Sequence, residues 1–183
     1  VIGGDVTDMG TGAQWTGGEW LVVEADESDG THLELPLHGT ILTNVEIDHL
    51  DHYGTYQAII DGFDTYLGQV PGPKVLCLDD PRCAVLAAKH GAITYGTSPD
   101  ADYVATNIEP IGGAFSFEVV HRGELLGTVS LPLRGIHNVR NATGALAMAY
   151  SIGVPFDDAA AALSKFGGVA RRFDIRAIDG GAT

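Results

Sequence analysis

The sequence predicts an α/β fold, a three-layer domain on a mostly parallel sheet with a small antiparallel β extension. Three observations carry this expectation. Short apolar runs at 40–43, 74–78 and 92–95 alternate with helical patterns, the rhythm of parallel strands covered by helices. Three strand-like runs between 102 and 132 then follow one another with only Gly112-Gly113 and Arg122-Gly123 between them. Finally, 183 residues at 45% hydrophobic, punctuated regularly by Gly and Pro, can bury one good core.

In chain order, Gly3, Gly4, Gly10, Gly12, Gly17 and Gly18 mark turns and short extended pieces. Trp20-Leu21-Val22-Val23 reads as a strand that ends on Glu24-Ala25-Asp26-Glu27-Ser28-Asp29. Thr40 to Thr43 is the next strand. After it come a polar loop to Gly54 and a helix to about Val70, with Tyr56, Ile60, Phe63 and Leu67 on one face. Pro71-Gly72-Pro73 stops that helix. Lys74 to Leu78 is a strand, Asp80 caps a helix with Pro81 at its first position, and Ala92 to Tyr95 is another strand.

Tyr103–Ile108, Ala114–His121 and Glu124–Leu131 form the antiparallel unit, with Phe115, Phe117 and Val119 alternating at period two. A helix over His137–Ile152 presents Ala142, Ala145, Leu146 and Ala149 on one face, and a second runs from Pro155 to Phe166 before Gly167-Gly168. Phe173–Ile178 reads as a last strand. The expected organisation is one domain over 1–178, with its antiparallel part at 102–132, and the start of a linker at 179–183.

The formal net charge of −14 argues against nucleic-acid backbones and anionic membrane surfaces as partners. No apolar run has the length of a membrane span, and no signal-peptide pattern opens the chain. Cys77 and Cys83 demand no disulfide, so a cytoplasmic home is the default.

Chemistry concentrates in four stretches. Glu24 and His49 each follow the carboxyl end of an expected strand, the edge where open α/β sheets bind ligands. A carboxylate and an imidazole meeting there suit a largely hydrated divalent cation, although an acidic turn in water explains Glu24 equally and a lone histidine such as His49 is more often hydrogen-bonded than a ligand. His137-Asn138-Val139-Arg140-Asn141 opens a helix with Asn138 and Asn141 three apart, a spacing that serves either adenine recognition or helix capping. Arg171-Arg172-Phe173-Asp174 offers guanidinium groups for phosphate or for a surface ion pair. No complete Gly-x-x-x-x-Gly-Lys-Ser/Thr loop occurs.

Glu24 to Asp29, Thr43 to Asp51, Gly135 to Asn141 and Arg171 to Asp174, in that order, resemble the central ATP-binding domain of the Mur ligase family. The match is to the pattern of members that join L-alanine to UDP-N-acetylmuramate. The resemblance implies that Glu24 and His49 bind metal ions, Mg²⁺ or in its place Mn²⁺, and act in catalysis. It implies further that His137, Asn138 and Asn141 hold the adenine end of ATP, and that Arg172 lies toward the phosphates. ATP would phosphorylate the sugar nucleotide's carboxylate, and the amine of L-alanine would displace phosphate from the acyl phosphate.

Ser28 stands where a ligase that attaches an intact tripeptide is expected to carry tyrosine, so that related reading is second. A metallohydrolase would need more histidines upstream of Asp48-His49-Leu50-Asp51-His52, and a non-catalytic nucleotide-binding module would not need to keep the whole set. Thr11-Gly12-Ala13 departs from the family pattern, with Gly12 in place of asparagine. The family's amino-terminal domain, phosphate loop and carboxyl-terminal domain have no counterpart in these residues. The chain alone is therefore expected to be inactive, and to be marginally stable or to self-associate through an incomplete sheet.

Overall fold

A computed structural model describes residues 6, 10–15, 17–25, 28, 31–47 and 50–169, and in it six strands cross one sheet in chain order. β1 (Thr40–Leu42), β2 (Lys74–Cys77), β3 (Ile93–Gly96) and β4 (Tyr103–Ile111) are parallel neighbours. β5 (Ala114–His121) and β6 (Glu124–Leu131) continue the sheet antiparallel. The helices α1 (Leu50–Tyr53) and α2 (Tyr56–Gln69) join β1 to β2, and α3 (Pro81–His90) joins β2 to β3. Two more, α4 (Ile136–Ser151) and α5 (Phe156–Ser164), follow β6.

Successive side chains of a strand point to opposite faces, and β2 shows the consequence. Val75 and Cys77 join a core with Val139, Ala142, Leu146 and Ala147 of α4 and Phe156 of α5. Leu76 faces the other way, into a core with Phe63 and Leu67 of α2 and Leu86 of α3. The sheet is thus buried on both faces, which is why its central runs are continuously apolar. The expected three layers are present.

The helix limits follow local chemistry. Thr55 Oγ1 accepts from Ala58 N–H at 3.2 Å at the start of α2. Asp80 caps α3 as expected, its Oδ1 accepting from Arg82 N–H at 2.9 Å and Cys83 N–H at 2.8 Å. The hairpin turns are two-residue pairs with positive φ, Gly112-Gly113 and Arg122-Gly123, the form that matches strand twist.

β3 and β4 are parallel neighbours with no helix between them. Parallel pairs ordinarily need a crossover of about a dozen residues or more. Here Tyr95 pairs with Tyr103 and Gly96 with Val104, so β4 begins where β3 ends and the connection only steps sideways. Asp102 fastens that step, accepting from Thr94 N–H at 2.9 Å and Thr94 Oγ1 at 3.1 Å.

Several expectations are corrected. Trp20–Val23 is not a strand: residues 20–25 have no regular secondary structure, and Leu21 and Val22 are 63% and 76% exposed. The run is apolar, but the burial that makes an apolar run favourable as a strand is not realised there. β4 extends to Ile111, past a register shift between Thr106 and Glu109 where Asn107 takes φ 48°. The helix α5 closes on Lys165, ahead of the glycine pair. The buried face of α4 is Val139, Ala142, Thr143, Gly144, Leu146 and Ala147, with Ala145 and Ala149 only half-buried.

The chain divides into two units. Residues 25–165 make the α/β body. The other unit comprises 1–24 and 166–183, and in it Val6 bridges Thr11 and Val169. The expected strand at 173–178 lies outside the described residues. Cys77 and Cys83 are buried free thiols.

Candidate functional site

At the carboxyl ends of β1 and β2 the α/β body carries a cavity of about 240 Å³. The segment after β1 supplies Thr43, Asn44 and Glu46, and the end of β2 with its following turn supplies Cys77, Asp79 and Asp80. The first turns of α4 supply His137, Arg140 and Asn141. Those three stand at i, i+3 and i+4, the spacing of one helix face.

The segment after β1 is held from below. Val45 is 3% exposed in the core on the α2 side, and Tyr56 Oη donates to its carbonyl at 3.0 Å. Asn44 and Glu46, on either side of that anchor, line the cavity, and Thr43 Oγ1 donates to Asn44 Oδ1 at 2.9 Å. One stage back along β1, Tyr95 Oη reaches the Leu42 carbonyl at 3.5 Å.

Asp79 is the most heavily engaged polar group in the wall. Oδ2 accepts from Thr97 N–H at 2.9 Å and Thr97 Oγ1 at 2.8 Å, and Oδ1 accepts from Ser98 N–H at 2.8 Å. Gly96 makes this approach feasible, since a Cβ there would stand 2.6 Å from Asp79 Oδ1. Burial pushes the Asp79 carboxyl up, but the donors from Thr97 and Ser98 and the Arg140 charge outweigh it, so its pKa is lowered. Arg140 Nε lies 2.8 Å from Asp79 Oδ2. The pair is ionic without a well-aimed N–H, because Arg140 Nε is buried and finds no acceptor in hydrogen-bond geometry.

Of the residues expected from sequence, His137 and Asn141 line the cavity. Asn138 does not: its Nδ2 donates to the Arg134 carbonyl at 2.7 Å, a local bond around the start of α4. The N-cap Gly135 makes no side-chain cap bond, and the Asn138 amide ties α4 to the residue that precedes that cap. Glu24 is exposed in the irregular segment and belongs to the other unit. His49 and Arg172 lie outside the described residues.

Sequence reading missed Asp79 and Arg140. Asp79 was legible by the same rule that found the 43–51 loop, a polar residue directly after a buried parallel strand. Arg140 was legible only as a helical neighbour of His137 and Asn141.

The cavity residues do not themselves fit a divalent cation. Among the described residues no group of three or more His, Cys, Asp or Glu is arranged to hold a metal. Asp80 is spent as a helix cap and Asp79 on Thr97, Ser98 and Arg140, which leaves Glu46 as the remaining carboxylate of the lining.

Comparison with known proteins fits this geometry. The description Mur ligase middle domain matches residues 12–149. The chain belongs to the Mur ligase family. This Mur ligase middle domain is 43% identical, over 94% of its length, to UDP-N-acetylmuramate–L-alanine ligase of Bradyrhizobium sp. (strain ORS 278), and it spans 39% of that relative. Among solved structures it resembles the UDP-N-acetylmuramate-alanine ligase of Thermotoga maritima, with a TM-score of 0.75 and 27% identity over 86% of this chain and 36% of that one. It also resembles the UDP-N-acetylmuramate:L-alanyl-γ-D-glutamyl-meso-diaminopimelate ligase from Neisseria, with a TM-score of 0.69 and 27% identity over 81% of this chain and 48% of that one. No helix among the described residues is long and apolar enough to cross a membrane.

Proposed function

We propose that this chain is the ATP-using domain of a cytoplasmic ligase that joins L-alanine to UDP-N-acetylmuramate through an acyl phosphate, in peptidoglycan precursor synthesis. The observation that carries the reading is the cavity itself, where His137 and Asn141 of α4 face the carboxyl ends of β1 and β2. The names of the relatives, similar over almost the whole chain, support the choice of amino acid and sugar nucleotide.

In this reading Asn141 and His137 take the adenine end of ATP, with Asn138 maintaining the helix start beside them. An asparagine amide both donates to a ring nitrogen and accepts from an exocyclic amine, which suits adenine. Arg172 is the proposed phosphate contact, and Glu24 and His49 are the proposed ligands of Mg²⁺ or Mn²⁺. The cation would supply charge stabilisation for an in-line phosphoryl transfer. The cavity's own part is to bind and orient the nucleotide.

The test measures phosphate release from ATP and Mg²⁺ with UDP-N-acetylmuramate and L-alanine, on this chain and on the longest protein that contains it. His49→Ala is the control. Release that requires L-alanine and collapses in the variant supports the ligase and the role of His49. Release with the tripeptide L-alanyl-γ-D-glutamyl-meso-diaminopimelate alone transfers the assignment to the ligase type of the Neisseria neighbour. No release with either, from a protein that still binds ADP, leaves a nucleotide-binding module.

A further inference from the structure

Arg140 is the one Lys or Arg among the described residues lining the cavity, and it shares that wall with the carboxylates of Glu46, Asp79 and Asp80. Its side chain is 39% exposed, while that of its partner Asp79 is 10% exposed. Asp79 in turn is fixed by three donor groups from the β3–β4 connection. A guanidinium paired at Nε keeps a flat, weakly hydrated face but has lost most of its net pull on an anion. Three carboxylates around it work against a phosphate at this point and leave an uncharged, planar group as the better occupant.

We propose that Asp79 is a positioning residue that acts through Arg140, holding the guanidinium as the wall against which the base of the nucleotide lies. The assignment rests on the nucleotide reading of the cavity. It adds a base contact on the helix face shared with His137 and Asn141, and it makes the turn after β2 part of the base site.

The experiment measures affinity of the longest protein that contains this chain for AMP and for ADP with Mg²⁺, by calorimetry, for wild type, Arg140→Ala, Asp79→Asn and the double variant. Asp79→Asn keeps one of the two oxygens that the Thr97 and Ser98 donors use, and thermal unfolding on the same samples checks that the variant is folded. Each single variant is expected to weaken AMP and ADP by the same factor, about threefold to thirtyfold, as for loss of a guanidinium–ring contact. The double variant is expected to be no weaker than the worse single one, since Asp79 acts through Arg140.

A readout that a purely structural Asp79 would not move is the Arg140 Nε–H resonance. Its chemical shift, set by the Asp79 carboxylate 2.8 Å away, should move in Asp79→Asn. Losses that multiply in the double variant, an unchanged affinity in Asp79→Asn, or a loss for ADP much larger than for AMP would each overturn the assignment. Wild type that binds neither nucleotide overturns the nucleotide reading and this assignment with it. Wild type that binds both, with unaltered variants, overturns this assignment alone.

Discussion

Gly144→Ala tests how α4 is seated on the sheet. Gly144 is buried in the middle of α4, and a Cβ there would stand 2.6 Å from Cζ and 2.9 Å from Cε2 of Tyr95. Ordinary carbon contacts begin at about 3.5 Å, so the new methyl intrudes by about 1 Å. The Tyr95 ring is fully buried in the core, so it can move only by displacing its neighbours. Overpacking of this kind costs about 1–3 kcal/mol, while alanine in a helix interior recovers about 1 kcal/mol relative to glycine. Taking the upper half of the cost, because those neighbours must move with the ring, the net loss is about 1–2 kcal/mol. For a chain of this size that lowers the melting temperature by about 2–8 °C. The same displacement loosens Tyr95 Oη from the Leu42 carbonyl, just ahead of Thr43 and Asn44, so ADP affinity should fall as well. Thermal unfolding followed by circular dichroism, with ADP calorimetry on the same samples, provides the measurement. A variant with a raised melting temperature and unchanged affinity would refute the seating of α4 on Tyr95.

Other outcomes follow from the same wall. Asp79 and Asp102 both have lowered carboxyl pKa values, so each adds stability above the ordinary carboxylate range and loses it as the pH falls through the folded value. Stability should therefore decline below about pH 4, and Asp79→Asn should be less stable at pH 7 with a flatter acid limb in urea titrations across pH 2–7. An acid limb identical to wild type would count against the Asp79 network. Asp80→Ala removes the α3 cap and should cost about 1 kcal/mol, read as a shifted urea midpoint with unchanged slope. Burial pushes the Cys77 and Cys83 thiols up, so both should resist a disulfide reagent in the native protein at pH 8 and react on unfolding. Rapid native labelling of both would contradict their burial.

Much of the architecture was readable from the chain alone. The limits of β5 and β6, the Asp80-Pro81 start of α3 and the Pro71-Gly72-Pro73 stop depend on period-two patterning, capping chemistry and proline geometry. These are local effects that a few neighbouring residues decide. The helix start around His137–Asn141 was legible for the same reason, although spacing paired Asn138 with Asn141 and His137 entered only through the family resemblance. Trp20–Val23 shows the limit: its composition suits a strand, but strand formation is settled by what an apolar run packs against, and these side chains stay largely in solvent. Asn138 shows another, since spacing put it beside Asn141 while its amide bonds the Arg134 carbonyl.

Local chemistry thus specifies the strands and helices from Thr40 onward, the three-layer plan and the helix start around His137–Asn141. Only the tertiary structure decided that β4 starts where β3 ends, that α4 lies close on Tyr95 through Gly144, and that Asp79 meets Thr97, Ser98 and Arg140. Those contacts join residues far apart in the chain, and their partners are selected by packing and by the demand that buried polar groups be satisfied.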